Sequence, residues 1–246
     1  MAEVVRLANS EADPVSPPAF VMTETARNIY RSLKMMERLS GFRIGLICGP
    51  PGIGKTVTIE VYVSEEPLAY LVTGAGGEAD EKTLSEDLCR RWGAFEFENK
   101  SLNWRRHKLV SYARNIKVLI LDEAQHYSLS ALEWIRAVCE EAGCNLVFVG
   151  DAKLFSVAIC NPQIKSRAVL PRLFTSTSAG DVPAVCKAHG LDRDGIPKEL
   201  ERVSMIGGLR EVRNVIELAT IFAEGKLVQG DEIRAAMAQL ELAGGK

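Results

Sequence analysis

The sequence has little of what metal centres, membranes or strongly charged partners require. Its six cysteines and three histidines are scattered, and they contain no C-x-x-C pair and no spacing typical of zinc sites. No apolar run approaches the length of a membrane span, and the first residues lack the apolar segment of a signal peptide. The net charge is only −2, so no overall field would attract DNA or an anionic membrane. These absences predict a cytoplasmic protein with reduced thiols and no membrane contact, in which nucleic acid would bind only through a local cluster.

What the sequence does contain is a regular alternation of apolar runs with helical patterns. The apolar runs predict four strands, at residues 43–48, 68–73, 117–122 and 145–150. A fifth strand, with a weaker pattern, is expected near residues 172–175. Apolar strands separated by helices are typical of a parallel sheet that is buried on both faces. The predicted fold class is therefore α/β, with three layers built around a parallel sheet.

The pattern changes twice along the chain, and each change predicts a boundary. Residues 1–19 mix serine, proline and acidic residues without periodicity, which is typical of a flexible arm. Residues 20–180 contain all the predicted strands and form the expected α/β domain. From residue 181 to residue 246 only helical patterns follow, and they predict a small helical lid domain.

A glycine-rich loop follows the first predicted strand and carries the most specific motif of the chain. Residues 49–56, GPPGIGKT, match the pattern G-x-x-x-x-G-K-[ST] between a strand and a helix. Such glycines let successive backbone N–H groups converge on phosphate oxygens, and the following helix adds the positive end of its dipole. Lys55 would reach the β- and γ-phosphates, and the Thr56 hydroxyl would bind Mg²⁺. The predicted nucleotide-binding residues are Gly49, Pro50, Pro51, Gly52, Ile53, Gly54, Lys55, Thr56 and Val57.

A pair of carboxylates at the end of the third predicted strand completes the expected site. Asp122 ends the apolar run VLILD and would hold Mg²⁺ through water. Glu123 follows directly, and a carboxylate there can polarise the water that attacks the γ-phosphate. An Asp-Glu pair by itself is more often a solvated strand end, but here it accompanies the phosphate loop. The pair therefore predicts Mg²⁺-dependent hydrolysis of ATP, with Lys55 and Glu123 as catalytic residues.

These motifs together resemble the AAA+ ATPases, a superfamily of P-loop NTPases with a small helical lid. The closer resemblance is to the phage Mu transposition protein B (MuB) family and its relatives, the transposon ATPases TnsC and TniB. It is carried by the segments FVMTETARNIYRSLKMMERLSGFRIGLICGPPGIGKT, LDEAQ, VFVGD and SRAVLPRLF, and it extends over about residues 20–225. The resemblance implies an ATPase that binds double-stranded DNA without sequence specificity and oligomerises on it as a filament. It also implies a partner, a transposase, for which such a protein selects the target DNA and which it activates.

The same resemblance implies roles for charged residues outside the two motifs. Asp151 follows the run NLVFVG, where AAA+ ATPases place a polar sensor of the γ-phosphate; a carboxylate there would be repelled unless it is protonated or turned away. Arg167 and Arg172 occupy the region of the arginine finger, whose planar guanidinium contacts the γ-phosphate bound by a neighbouring subunit. Arg210, in the segment GGLR, resembles the lid arginine that reaches over the nucleotide, and Arg213 is the reserve for that role.

A basic segment is the best local candidate for contacts with DNA phosphates. Residues 100–121 contain no acidic residue, and helical spacing would place Arg105 and Lys108 on one face. The candidate DNA contacts are Lys100, Arg105, Arg106 and Lys108. The resemblance implies that this segment lines the central channel of a helical assembly on DNA. A basic run is nevertheless more often a solvated helix face, and Trp104 within it is more often a core residue, so both interpretations stay open.

Two functions of different classes are compatible with these motifs. The first is the ATP-dependent DNA scaffold that acts in transposition, in which an arginine of a neighbouring subunit completes each ATP site. The second is an AAA+ ATPase that acts on protein partners, similar to helicase loaders or to secretion-associated ATPases. A secretion ATPase is expected to carry a membrane span, and a loader is expected to carry a partner-binding extension longer than the arm at residues 1–19. The first function is therefore preferred.

Overall fold

The sheet is described by a computed structural model that covers residues 20–74, 77, 79–93, 95–193 and 195–242; the predicted arm at residues 1–19 lies outside the described residues. The strands found there are β1 (Ile44–Cys48), β2 (Ala69–Thr73), β3 (Val118–Asp122), β4 (Asn145–Gly150) and β5 (Ala168–Leu173). They form one parallel sheet in the order β2-β3-β4-β1-β5. Strands β1, β3 and β4 are buried along their whole length, which is why their sequences are continuous apolar runs.

The fifth strand begins earlier than the sequence pattern predicted. Strand β5 pairs with β1, and Arg172 lies opposite Ile47, so the expected range of 172–175 covers only its last part. β5 is an edge strand whose side chains are mostly exposed. Pro171 is tolerated within it because an edge strand does not need every N–H group for pairing. The pattern was weak because Pro171 and Arg172 interrupt the apolar residues of this exposed strand.

Helices cover both faces of the sheet. They are α1 (Glu24–Arg38), α2 (Lys55–Glu65), α3 (Glu81–Arg91), α4 (Leu102–Ala113), α5 (Leu129–Ala142), α6 (Ala152–Cys160) and the short α7 (Pro162–Lys165). On one face, Ile29 of α1 and Ile59 of α2 pack in one core with side chains of the sheet. On the other face, Leu88 of α3, Leu109 of α4 and Ile135 of α5 form the larger core. This is the predicted three-layer α/β arrangement.

The helices of the α/β part begin with a side chain that caps their first N–H groups, and α2 is the exception. The side chains of Thr23, Asp80, Ser101 and Ser128 accept backbone N–H groups at the starts of α1, α3, α4 and α5, as is typical of N-caps. Helix α2 differs, because it follows Gly54, whose φ of 91° is left-handed, and it has no side-chain cap. Its first N–H groups therefore point towards the end of the glycine-rich loop without a side-chain acceptor, which suits a bound anion.

The C-terminal part is helical and has its own core. It contains α8 (Asp181–Ala188), α9 (Ile196–Phe222) and α10 (Gly230–Gln239), whose apolar side chains pack together. The buried carboxylate of Asp181 joins this part to the start of α1. It accepts hydrogen bonds from the backbone N–H and the hydroxyl of Thr25 and from the backbone N–H of Ser178, the last at 2.9 Å. The lid is therefore anchored to the α/β part at the segment where the two meet.

The six cysteines have the environment that the composition predicts. All six cysteines are free, and five of them are buried, as expected of small apolar core residues. Within the described ranges, none of the helices is both long enough and apolar enough to cross a membrane.

Candidate nucleotide site

The glycine-rich loop lies at the carboxyl end of β1, between the sheet and α2. Its backbone needs glycine for two different reasons. Gly52 has a φ of 80°, a left-handed conformation that side chains rarely adopt. A Cβ atom on Gly49 would lie 2.9 Å from the Cβ atom of Phe174, so only glycine fits where the loop passes the chain that follows β5. The loop is thus held in a curved path whose concave side faces a cavity.

Lys55 is a buried cation whose partners belong to the loop itself. Its side chain is 8% exposed, and Nζ donates hydrogen bonds to the carbonyl oxygens of Gly49 at 2.7 Å and Pro50 at 2.9 Å. Burial lowers the pKa of Lys55, while the nearby carboxylates of Glu123 and Asp122 oppose that effect. Phosphate oxygens are stronger acceptors than carbonyl groups for an ammonium group, so a nucleotide could replace both loop contacts.

Thr56 and Asp122 are in direct contact, although they are far apart in the sequence. The Thr56 hydroxyl donates to Oδ2 of Asp122 at 2.7 Å, and Oδ1 of Asp122 accepts the backbone N–H of Glu123 at 2.9 Å. Burial raises the pKa of Asp122, which is completely buried, and these two hydrogen bonds oppose the rise. One hydroxyl and one carboxylate are hard oxygen ligands of the kind that Mg²⁺ accepts.

The donor set fits a magnesium ion that is shared with phosphates. The described residues contain no group of three or more His, Cys, Asp or Glu side chains that could hold a metal ion without other ligands. Mg²⁺ usually takes one or two protein ligands and completes its shell with waters and substrate phosphates. Thr56 and Asp122 would supply that protein share.

Glu123 follows Asp122 in an unusual backbone conformation. Its φ of 51° and ψ of 38° are left-handed, which is uncommon for a residue with a side chain. Its carboxylate lines the cavity beside the loop and is 40% exposed. Oε2 accepts a hydrogen bond from Nε2 of Gln125, and Nε2 of His126 lies 4.0 Å away. Sequence reasoning missed Gln125, although the run DEAQ places it only two residues after Glu123.

Asp151 is at the expected place, but its carboxylate serves a helix. The residue follows β4, whose Gly150 carbonyl accepts the backbone N–H of Gly49 at 3.0 Å. Oδ1 of Asp151 accepts the backbone N–H of Leu154 at 2.8 Å and caps α6. A carboxylate beside phosphates would be repelled unless it is protonated or turned away from them. The hydrogen bond to Leu154 holds the Asp151 carboxylate at the start of α6. Its role as a sensor stays a prediction.

The lid approaches the loop through glycine backbone. Helix α9 is interrupted at Gly207 and Gly208, where φ and ψ leave the helical region. A Cβ atom on Gly52 would lie 2.3 Å from the carbonyl oxygen of Gly207, so a side chain at Gly52 would push the lid away. Just beyond the break, the backbone N–H of Arg210 donates to the carbonyl of Gly52 at 3.2 Å. The segment that was predicted to reach over the nucleotide therefore touches the phosphate loop.

Between the loop and the lid lies a cavity of about 350 Å³. Its lining includes the apolar residues Phe20, Val21, Val185 and Leu209 and the polar residues Lys55, Thr56, Glu123, Arg210 and Arg213. His189 also lines it, and burial together with the charge of Arg213 lowers the pKa of this imidazole. A lining that combines apolar side chains with cations and a carboxylate suits a ligand that carries both a flat base and phosphates.

Neither of the two arginine-finger candidates lines this cavity. Arg167 precedes β5, where its carbonyl accepts the backbone N–H of Ile44 at the amino end of β1. Its guanidinium forms a double hydrogen bond with Glu140, at 2.9 and 2.6 Å. Arg172 lies in the exposed edge strand β5. The loop is at the carboxyl end of β1, so Arg167 lies at the opposite end of this strand. Arg172 pairs with Ile47 and lies near the same end of β1 as the loop. The role of either arginine as a finger stays a prediction.

The four predicted DNA contacts fall into three different environments. Lys100 and Lys108 are exposed, and their ammonium groups lie 5.5 and 5.6 Å from the Trp104 ring centroid. Trp104 itself packs partly against the core. Arg106 pairs with Glu141 at 2.9 Å on a half-exposed surface.

The prediction that Arg105 is an exposed DNA contact is wrong. Its side chain is only 4% exposed, and its guanidinium bonds Glu86 at 3.0 Å and the Ser85 hydroxyl at 3.1 Å. It also lies over the Phe97 ring. Arg105 does not share an exposed face with Lys108, because positions 105, 109 and 113 form the buried stripe of α4. That stripe, with a spacing of four residues, was the signal that could have revealed the burial.

Fold and site together define a class of protein: a P-loop ATPase of the AAA type. The model of the AAA domain matches residues 38–157. The model described as Mu B transposition protein, C terminal, matches residues 166–240. The chain therefore combines an AAA domain with a C-terminal region that is similar to that of the phage Mu transposition protein B.

Two similar proteins are named as a DNA transposition protein and a target DNA activator. The chain is 28% identical over 206 residues to the Mu-like prophage FluMu DNA transposition protein B of Haemophilus influenzae, which covers 79% of this chain and 70% of the relative. It is 27% identical over 243 residues to the ATP-dependent target DNA activator B of Escherichia phage Mu, covering 94% of this chain and 76% of the relative. These likenesses agree with the resemblance that the motifs suggested.

Solved structures confirm the fold. Cdc6p from Pyrobaculum aerophilum superposes with a TM-score of 0.72 at 15% identity, covering 96% of this chain and 72% of that protein. The Aeropyrum pernix ORC1 protein, solved in complex with DNA, gives a TM-score of 0.59 at 16% identity, covering 94% and 68%. At such identities the likeness shows the fold alone, an AAA-type parallel sheet followed by a helical region.

Proposed function

We propose that this protein is an ATP-dependent DNA-binding ATPase that oligomerises on double-stranded DNA, selects it as a transposition target and activates a transposase. The observation that carries the proposal is the combination, in one chain, of the Lys55 and Thr56–Asp122 contacts at the glycine-rich loop with a C-terminal region that matches the Mu B model. Relatives named ATP-dependent target DNA activator B support the role in target DNA. A cytoplasmic location belongs to the same proposal.

The nucleotide roles follow from the contacts at the loop. On binding ATP, the ammonium of Lys55 exchanges the carbonyls of Gly49 and Pro50 for β- and γ-phosphate oxygens. Thr56 and Asp122 hold Mg²⁺, which would neutralise charge on those oxygens. Glu123 orients and polarises the attacking water. Arg210 contacts the phosphates from the lid, with its helix already bonded to the loop at Gly52.

A neighbouring subunit completes the site with an arginine. Arg167 is the preferred finger, because it lies at the end of β1 opposite to the loop. Arg172 is the alternative, because it is exposed in β5. Neither lines the cavity of its own chain, and each carries a planar donor that suits phosphate oxygens. Arg167 would exchange Glu140 for the neighbour's γ-phosphate. Loss of that phosphate on hydrolysis removes the shared ligand, so the assembly would loosen after turnover.

Fewer cations are available for DNA binding than the basic run at residues 100–121 suggested. Lys100 and Lys108 present exposed ammonium groups close to the Trp104 ring and are the proposed phosphate contacts. Arg106 can join them only by giving up Glu141. Two or three cations per subunit give weak binding alone, but a filament adds the contribution of every subunit along the DNA.

The test is assembly on DNA as a function of nucleotide. The full chain is mixed with duplex DNA and Mg²⁺, with ATP, a non-hydrolysable ATP analogue, ADP or no nucleotide, and gel mobility and electron microscopy report the complexes. We expect filaments with ATP or the analogue, none with ADP, and an ATPase rate that rises with DNA and falls on Mg²⁺ removal. A monomer under every condition would refute the scaffold. ATPase stimulation by a replicative helicase, without any by DNA, would favour the loader-like alternative.

A further inference from the structure

Gln125 connects two parts of the site and has no role in the function proposed above. Its Nε2 donates to Oε2 of Glu123. Its Oε1 is packed against the end of β4, where a Cβ atom on Gly150 would lie only 2.2 Å away. Glycine at position 150 is thus required for the amide to occupy this place. Gln125 therefore links the carboxylate after β3 to the strand that leads to Asp151.

The orientation of this amide is set by its surroundings. If the amide were flipped, its oxygen would face Oε2 of Glu123, and two acceptors would oppose each other. The observed orientation leaves Oε1 buried and without a hydrogen-bond partner among the described residues. A buried acceptor without a partner is normally avoided. The contact with Glu123 is therefore maintained although the other end of the same side chain is unsatisfied.

The Glu123 backbone is fixed, whereas its side chain depends on Gln125. The Glu123 N–H is held by Asp122, and its carbonyl accepts the backbone N–H of His126 at 3.0 Å. The left-handed conformation directs the carboxylate towards the cavity, where it is 40% exposed. Among the described residues, the hydrogen bond that restrains this carboxylate comes from Gln125, with His126 at 4.0 Å as the neighbouring charge when protonated.

We propose that Gln125 is a positioning residue that holds the Glu123 carboxylate in the orientation needed to polarise water, and so controls hydrolysis after ATP has bound. This inference rests on the role proposed for Glu123. A neutral amide suits the task because it engages one oxygen without neutralising the charge, which leaves Oε1 of Glu123 available to accept a proton from water. Gln125 does not line the cavity beside the loop, so it should act on the chemical step and not on nucleotide affinity.

The test replaces Gln125 with Met, which keeps the length of the side chain and removes the donor. Steady-state and single-turnover ATP hydrolysis are measured on the full chain with Mg²⁺, together with ATP affinity by a fluorescent analogue. We expect Gln125→Met to lower kcat about 10- to 100-fold, the range for a misplaced catalytic group, with KM and affinity unchanged within about threefold. Gln239→Met, at the exposed end of α10, is the matched control and should keep the wild-type rate.

A double variant separates positioning from a general structural effect. In Glu123→Gln, adding Gln125→Met should lower kcat by less than about twofold, because residues that act as a unit are not additive. If Gln125→Met does not fold, Gln125→Leu also removes the donor and should give the same loss. A wild-type kcat in the Gln125 variants, or a loss explained by weaker ATP binding, would overturn the inference and leave Glu123's role standing. A wild-type kcat in Glu123→Gln would overturn both.

Discussion

Lys55 and Arg105 are both buried cations, and they differ in the partners that surround them. Lys55 is 8% exposed and Arg105 is 4% exposed. The ammonium of Lys55 bonds two neutral carbonyl groups of the phosphate loop. The guanidinium of Arg105 bonds the carboxylate of Glu86 and the hydroxyl of Ser85 and covers the Phe97 ring. Burial alone does not distinguish the two sites.

The difference shows which buried charge can bind a ligand. The hydrogen bonds of Lys55 go to neutral carbonyls, and the carboxylates of Glu123 and Asp122 compensate its charge only from nearby. Such a buried cation is costly without a ligand, and it becomes favourable when an anion binds directly to it. Burial accordingly lowers the pKa of Lys55. A buried cation already paired with a carboxylate has little to gain from a phosphate and much to lose in the fold. The cation at the loop is thus available for binding, and the one in α4 stabilises the packing of α3 on α4.

The largest effect is expected when Lys55 is removed. Lys55→Ala deletes two charge-assisted hydrogen bonds to phosphate, each worth about 1.5–3 kcal/mol, so ATP affinity should fall at least about 100-fold. ATP binding is measured by a fluorescent analogue, and hydrolysis by phosphate release. Lys153→Ala, an exposed lysine in α6, is the control and should bind normally. If Lys55→Ala kept the wild-type ATP affinity, Lys55 would not be a ligand-binding cation, and the contrast with Arg105 would fail.

The opposite outcome is expected for Arg105. Arg105→Met leaves Glu86 and Ser85 without their buried partner, and it should lower the free energy of unfolding by about 2–4 kcal/mol, at or below the usual range because Glu86 is 26% exposed. Arg106→Met, at the half-exposed pair with Glu141, should change it by less than about 1 kcal/mol. Urea denaturation measures both. Equal stability of the two variants would show that Arg105 is not the structural cation described here.

The two sites also differ in how far the sequence could predict them. At the loop, Asp122 and Thr56 meet because parallel strands end at one edge of the sheet, and the motif spacing already encodes that geometry. For Arg105 the partners come from α3, and no pattern in the basic run reveals them. Gln125 escaped for a similar reason, because its place depends on Gly150 and on the left-handed conformation of Glu123. A motif with fixed spacing predicts which residues will be in contact, whereas a run of basic residues does not predict the partner of each charge.

A smaller effect is expected at the exposed lysines that remain candidates for DNA binding. Lys100→Gln together with Lys108→Gln removes two phosphate contacts per subunit, so the slope of log affinity against log salt should decrease by about two per bound subunit. The ATP affinity without DNA and the thermal stability should be unchanged. Lys165→Gln with Lys153→Gln, exposed lysines of α7 and α6, is the matched control. An unchanged salt slope would show that Lys100 and Lys108 do not contact DNA phosphates.

The smallest effect concerns His189, which extends the comparison to a group that can lose its charge. His189 lines the cavity, and its pKa is lowered by burial and by Arg213, while Glu217 opposes the shift. A base with a lowered folded-state pKa binds fewer protons when folded, so its cost to stability is absent above its ordinary pKa of 6.5 and appears as pH falls below it. Thermal unfolding between pH 7.5 and 5 should therefore lose more stability in the wild type than in His189→Gln, without nucleotide present. Arg213 pairs with Glu217 at 2.7 Å, so Glu217→Gln should enlarge the difference by removing the opposing charge. Parallel pH profiles for the wild type and His189→Gln would show that the protonated imidazole is accommodated in the cavity, and that its partners differ from those deduced here.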